Sequence, residues 1–210
     1  MIGHVLQLED VTCVRGDRAL FRGLGFRMTN GGLLRVRGRN GSGKSSLLRM
    51  ICGLLPTATG AIRWNDREIH SLGEEFHTVL AYVGHSNAVK DELGVREQLV
   101  ISARLAGMTP ADREITDALE ALGLEQIDRL PCRVLSQGQK RRLALARLRI
   151  GARRPLWVLD EPFAALDAPG IEIVCRMIGD HLRDGGLAVI TTHQEVRIES
   201  RGFQEIDLPQ

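Results

Sequence analysis

Eight consecutive residues carry the strongest chemical signal: Gly38, Arg39, Asn40, Gly41, Ser42, Gly43, Lys44 and Ser45 fill the spacing G-x-x-x-x-G-K-S. Glycines let successive N–H groups curl around a phosphate, and a helix that follows adds the positive end of its dipole. In such a loop Lys44 would reach the β- and γ-phosphates and the Ser45 hydroxyl would ligate Mg²⁺. Ser46 opens the apolar, helically spaced run to residue 52. Lysine stands only at 44, 90 and 140, with arginine filling the other basic positions. A compact point charge therefore sits where a phosphate favours one over a planar fork. The loop predicts nucleoside triphosphate binding.

Two carboxylates form the second signal. Asp160 and Glu161 close the apolar run 156–159, which puts acids at the C-terminal edge of a strand, where ligands of open α/β sheets collect. Asp160 would hold Mg²⁺, and Glu161 could polarise an attacking water. The third signal is Leu135, Ser136, Gln137, Gly138 and Gln139, a loop entering a basic helix. Ser136 is suited to cap that helix, and small residues beside it leave backbone donors open to an anion. The run Lys140, Arg141, Arg142 behind it reads as a solvated helix face.

These residues need a scaffold. Residues 4–36 read as β: alternation at 5–8 continues through 11–14, Gly16-Asp17 is a turn, and Asn30-Gly31-Gly32 is a second hairpin signal before 33–36. Short strands follow at 61–64 and 79–83. From about 93 to 150 the period is helical. Thr109-Pro110-Ala111-Asp112 offers an N-cap, a proline at the first helical position and an acid three residues on. Behind it Ile115, Ala118, Leu119 and Leu122 share one face, and Gly123 stops the helix. Runs 156–159 and 187–190 are continuously apolar, as parallel strands covered on both faces are. Arg35 and Arg37 break that rule in the strand entering the loop, so one side there must meet solvent, an acid or a partner. The reading is one domain over 1–210, α/β, with an N-terminal antiparallel β portion and a helical subdomain at about 88–135.

The 210 residues hold 43% apolar and 26% charged side chains, enough for a sizeable core in one soluble domain. Aromatics at 4% and a net charge of +2 argue against a nucleic-acid binder. No apolar run approaches the ~18 residues of a spanning helix, and MIGHVLQLED lacks a signal peptide's basic start and apolar centre. The expectation is a cytosolic chain that does not itself cross a membrane. Cys13, Cys52, Cys132 and Cys175 lie far apart and read as reduced, mostly buried thiols. His70 and His77 could share a helix face, but two residues do not close a metal site.

GRNGSGKS, LSQGQ, the strand with Asp160 and Glu161, the run Ala164-Ala165-Leu166-Asp167 and His193 after a strand resemble, in order and spacing, the ATP-binding cassette (ABC) ATPases, across nearly the whole chain. The resemblance implies a P-loop fold and a head-to-tail dimer, homodimeric or of paired cassettes, sandwiching two ATPs. Each would lie between residues 38–45 of one subunit and 136–139 of the other. It also implies that Glu161 is the general base, that His193 contacts the γ-phosphate and orders the water, and that Asp167 lies at the dimer seam.

Two positions depart from that family's pattern. His85 stands where a glutamine usually touches Mg²⁺ and water; it could offer a neutral ring nitrogen, or be a surface histidine. Arg15 stands where an aromatic usually stacks on adenine, and a guanidinium can stack on a base too. Tyr-Val-Gly-His, the run LSQGQKRRLALARL, PLWVLDEPF and TTHQ resemble the cytochrome c maturation branch, labelled haem exporters; the likeness implies ATP hydrolysis that drives either haem export or release of a haem-loaded chaperone. That likeness implies integral-membrane partner subunits near residues 84–104 and a peripheral place on the cytoplasmic face of the bacterial inner membrane. No residues here point to direct haem binding. The alternatives are a cassette of another exporter, or a nucleotide-dependent binding module with little turnover, against which the intact Glu161 and His193 weigh. A DNA-repair or translation cassette would need a long insertion or a second cassette.

Overall fold

The computed structural model describes residues 3–151 and 153–209. In chain order it contains β1 (Val5–Arg15), β2 (Arg18–Thr29), β3 (Gly32–Arg37), α1 (Lys44–Ile51), β4 (Thr59–Trp64) and β5 (Arg67–Glu68). There follow α2 (Ile69–Leu72), α3 (Glu74–Val79), β6 (Leu80–Val83), α4 (Val95–Leu105), α5 (Asp112–Ala121) and α6 (Gln137–Ala146). The last elements are β7 (Leu156–Asp160), α7 (Ala168–Arg183), β8 (Leu187–Thr191) and β9 (Gly202–Asp207). They divide into two packed units: Met1–Tyr82 with Arg154–Glu161 and Ile178–Gln210, and Val83–Arg153 with Pro162–Met177.

The first unit holds two sheets. In β1 the buried positions change parity, from Leu6 and Leu8 to Val11 and Cys13. A residue must be inserted between them, and the register with β2 slips there. Asp10 is the kink, with φ +50°, so β1 carries a bulge that re-aims its second half. Its neighbour Gly60 in β4 cannot be anything larger: at φ +81° a Cβ would lie 2.3 Å from the Glu9 carbonyl oxygen. The antiparallel sheet runs β2-β1-β4-β5.

The turn at Asn30-Gly31 does not make a hairpin. β3 leaves the first sheet and enters a second, ordered β6-β7-β8-β3-β9, pairing parallel to both β8 and β9. The cause lies in the two patterns: β3 buries Leu33, Leu34 and Val36 on both faces, which suits an interior parallel strand, whereas β2 buries only Phe21 and Met28. Gly31 stitches the crossing, donating to the Gly186 carbonyl at 2.8 Å and accepting from the Arg201 N–H at 3.0 Å. Strands β7 and β8 are buried at every residue, as their apolar runs predict. Leu47, Leu48 and Ile51 of α1 join Leu34, Val158 and Val189 in one core cluster, each contributing about 1.5–3 kcal/mol of burial.

Strand β9 answers the charges in β3. Arg35 pairs in register with Glu205, donates to its carboxylate at 2.5 Å and lies 5.2 Å from the Phe203 ring centre. Glu195 reaches both Arg35, at 3.4 Å, and Arg37, at 3.2 Å. The predicted acid is therefore present, in two copies. His70 and His77, by contrast, do not share a helix face. They lie on α2 and α3, separated by Gly73 at φ +52°.

The second unit is helical. On α5 the residues Ile115, Ala118, Leu119 and, just beyond its end, Leu122 are all at most 1% exposed. The helix begins at Asp112 and not at Pro110: Ala111 is extended, and its N–H is taken by Glu114 at 2.8 Å. Glu114 at the third helical position thus selects the start, and Thr109 is not the cap. All four cysteines are free; Cys13, Cys52 and Cys132 are buried and Cys175 half-buried. Burial pushes the Cys52 thiol up to about 12 and raises the other three, so at neutral pH they stay protonated and unreactive. Among the described residues, no helix is long and apolar enough to cross a membrane.

Candidate functional site

The loop 38–43 joins β3 to α1, whose first residue is Lys44, two positions earlier than the apolar spacing predicts. Gly38, Gly41 and Gly43 sit at φ +138°, +85° and +103°, conformations that disfavour any other residue. At Gly38 and Gly43 space is short as well, while Gly41 faces open space. A Cβ on Gly38 would lie 2.5 Å from Ser42 Oγ, and one on Gly43 would lie 3.2 Å from Leu20 and Phe21. The Ser42 N–H closes the turn onto the Arg39 carbonyl at 3.1 Å, while Ser42 Oγ is buried without a hydrogen-bond partner.

Lys44 is only 9% exposed. Its ammonium folds back across the loop, donating to the carbonyls of Gly38 at 2.7 Å and Arg39 at 3.2 Å. Two carbonyl dipoles, with no carboxylate among the described residues in ion-pair range, leave its charge available to an anion. Ser46 stands in the same first helical turn, beside the Cys13 thiol. An open cleft of about 710 Å³ borders the loop; Arg37, Arg39, Asn40 and His193 line it, together with the carboxylates Glu205 and Asp207.

The acids converge on the same loop. Ser45 Oγ donates to Asp160 Oδ2 at 2.8 Å, and Thr191 Oγ1 donates to Asp160 Oδ1 at 2.7 Å. The Glu161 N–H donates to that same Thr191 hydroxyl at 2.8 Å. Glu161 adopts φ +53°, a strained conformation of the kind that clusters at functional sites. Its Oε1 is buried with no hydrogen-bond partner, and His193 Nε2 lies 3.4 Å away, outside bonding alignment. Lys44, Ser45, Asp160, Glu161 and His193 therefore meet in one unit, four of them from the first two sequence signals and His193 from the family resemblance. Arg15 ends β1 and is exposed.

In the second unit Ser136 caps α6 reciprocally, accepting from the Gln139 N–H at 3.1 Å while Gln139 Oε1 accepts from the Ser136 N–H at 2.8 Å. Gly138 is forced by a close approach, since a Cβ would lie 2.7 Å from the Ala165 carbonyl oxygen. Asp167 caps α7, accepting from the Gly170 N–H at 3.0 Å. Leu135 and Gln137 flank the cap of α6.

The basic run behind Gln139 is not a solvated face. Lys140 pairs with Asp91 at 2.5 Å, and Arg142 donates to the carbonyls of Leu122 and Gly123 at 2.8 and 3.1 Å. Arg141, 2% exposed, donates to the Gly84 carbonyl at 2.9 Å and to Asn87 Oδ1 at 3.2 Å. It thereby pins the loop that carries the exposed His85. Arg141→Leu leaves these half-buried acceptors without their donor and should lower stability by about 1–3 kcal/mol in all; urea unfolding would read the loss, and a native midpoint would refute it. Sequence reasoning missed both Arg141 and Thr191. The one available signal was a threonine ending the apolar run 187–190.

A strand–loop–helix phosphate cradle with a carboxylate at the end of a neighbouring parallel strand defines a P-loop ATP-binding protein. The ABC transporter family model matches residues 21–164, more than half the chain. The chain belongs to the ABC transporter family, as an ATP-binding ATPase. Among curated relatives, the cytochrome c biogenesis ATP-binding export protein CcmA of Dechloromonas aromatica (strain RCB) is 48% identical over 97% of this chain and 100% of its own length. CcmA of Nitrosospira multiformis is 48% identical over 95% of this chain and 96% of its own. The ADP conformation of MJ1267, an ATP-binding cassette of an ABC transporter, superposes with a TM-score of 0.76 at 21% identity, covering 92% of this chain and 82% of that one. That last likeness concerns the fold alone.

Proposed function

We propose that the chain is the ATP-hydrolysing subunit of an inner-membrane export complex for c-type cytochrome biogenesis. In this reading it sits peripherally on the cytoplasmic face and works with integral-membrane subunits. The observation that carries this reading is the 48% identity, over 97% of the chain, to a relative of that name.

Within the site, residues 38–45 wrap the phosphates and Lys44 turns from its carbonyl partners to the β- and γ-phosphates. Ser45 Oγ and Asp160 Oδ2, 2.8 Å apart, form a hard-oxygen pair that suits Mg²⁺, which keeps most of its other positions for water and phosphate. When bound there, Mg²⁺ would neutralise phosphate charge. Glu161, with an unpartnered oxygen, takes the proton of the attacking water as general base, and His193 beside it orders that water. His85 has a ring nitrogen to offer toward the metal, and Arg15 a planar face for the base.

The second half of each site comes from a second cassette. Ser136, Gln137, Gly138 and Gln139 at the start of α6 present N–H donors and a helix dipole to the partner's ATP. Asp167 lies at the seam, with one oxygen already fixed by Gly170. The test is haem staining of c-type cytochromes in source cells whose only copy carries Glu161→Gln. Holo-cytochromes should vanish while the variant accumulates normally. Native levels would sink the cytochrome assignment and leave the nucleotide chemistry standing.

A further inference from the structure

Thr191 ends β8 and lies in register with Asp160 at the end of β7. It is fully buried, in a position where valine would fill the same volume and suit a strand equally well. Its hydroxyl makes bonds of fixed direction. The Glu161 N–H can only donate, so Oγ1 accepts there at 2.8 Å; the single hydroxyl proton then goes to Asp160 Oδ1 at 2.7 Å.

Two consequences follow from that geometry. With Oδ1 held by Thr191, the carboxylate of Asp160 can turn only its Oδ2 edge toward Ser45, and it does so at 2.8 Å. With its N–H held by the same oxygen, Glu161 stays at φ +53°, a conformation that a glutamate would otherwise relax. One hydroxyl therefore sets the rotation of the first acid and the backbone of the second. A chain of two separately anchored acids would not place them so closely relative to each other.

We propose that Thr191 is a positioning residue of the ATPase, a single hydroxyl that locks Asp160 toward Ser45 and holds Glu161 in its strained conformation. It acts through these two residues and does not touch nucleotide, and the proposal rests on the roles given to Asp160 and Glu161 above.

The experiment compares purified full-length Thr191→Val and Thr191→Ser with the native chain in steady-state ATPase assays at saturating Mg²⁺. The dissociation constant of ADP is measured alongside, with Mg²⁺ and with EDTA. Thr191→Val should lose roughly tenfold to a hundredfold in kcat with KM within about threefold of native. It should also lose most of the tightening that Mg²⁺ gives ADP binding, while its affinity in EDTA is unchanged. Serine keeps the hydroxyl and should restore both properties. Native kcat in Thr191→Val overturns the proposal, as does a serine variant as defective as the valine one, because packing of the methyl would then be what matters. If the valine variant does not fold, Thr191→Ala replaces it, with serine rescue still deciding. Glu161→Gln in the same assay separates the two levels: native turnover there sinks the underlying reading, whereas native turnover confined to Thr191→Val sinks only the role of Thr191.

Discussion

Glu161→Gln binds ATP as the native chain does and turns it over roughly 10²–10⁴-fold more slowly, the span expected when a positioned general base is removed. Glutamine has the shape of glutamate and cannot take a proton. The contacts that fix residue 161 are made by its backbone: the N–H bond to Thr191 at 2.8 Å does not depend on the side chain. The Oε1 atom that changes chemistry is buried and has no hydrogen-bond partner, so no structural bond is lost and the variant should fold normally. ATP bound without hydrolysis should hold the two cassettes together. Light scattering should therefore register a stable dimer in Mg-ATP for the variant and a transient one for the native chain. A single-turnover rate equal to native would move the base to another residue.

Local requirements explain why the phosphate loop was legible in the sequence. The positive φ values at Gly38, Gly41 and Gly43 are dictated within eight residues of chain, and the capping pair Ser136–Gln139 within four. Continuous burial of β7 and β8 and the single buried face of α5 follow from periodicity in the same way. Non-local pairing was illegible. Asn30-Gly31 announces a turn but not that β3 joins a different sheet. Gly-Phe-Gln-Glu-Ile-Asp in β9 has no strand alternation to detect. What makes it a strand is its register against β3, where Arg35 meets Glu205 across 170 positions. Arg141 looked like one charge among three, because burial of a guanidinium depends on carbonyls supplied 54–57 positions earlier. Thr191 is the same case at the site itself: a β-branched residue at a strand end is ordinary until its hydroxyl is seen between two acids.

Lys44→Ala should weaken ATP binding by roughly 10²–10⁴-fold. Two charge-assisted hydrogen bonds to phosphate are worth about 1.5–3 kcal/mol each, and each 1.4 kcal/mol is a factor of about ten in affinity. The loss should appear in binding, before any chemistry, unlike that of Glu161→Gln. The fold should tolerate the change, because the glycine geometry and the Ser42–Arg39 bond at 3.1 Å define the loop without the ammonium. The carbonyls of Gly38 and Arg39 would return to water at the open cleft. Lys44→Arg is the sharper companion. It keeps the charge but offers a planar fork where the ammonium now donates to two carbonyls at 2.7 and 3.2 Å. Calorimetric titration with ATP should find the arginine variant much weaker than native. Native affinity in Lys44→Ala would mean that the loop closes on itself and does not hold a phosphate. Weak binding in both variants would tie affinity to the ammonium's size and reach as well as to its charge.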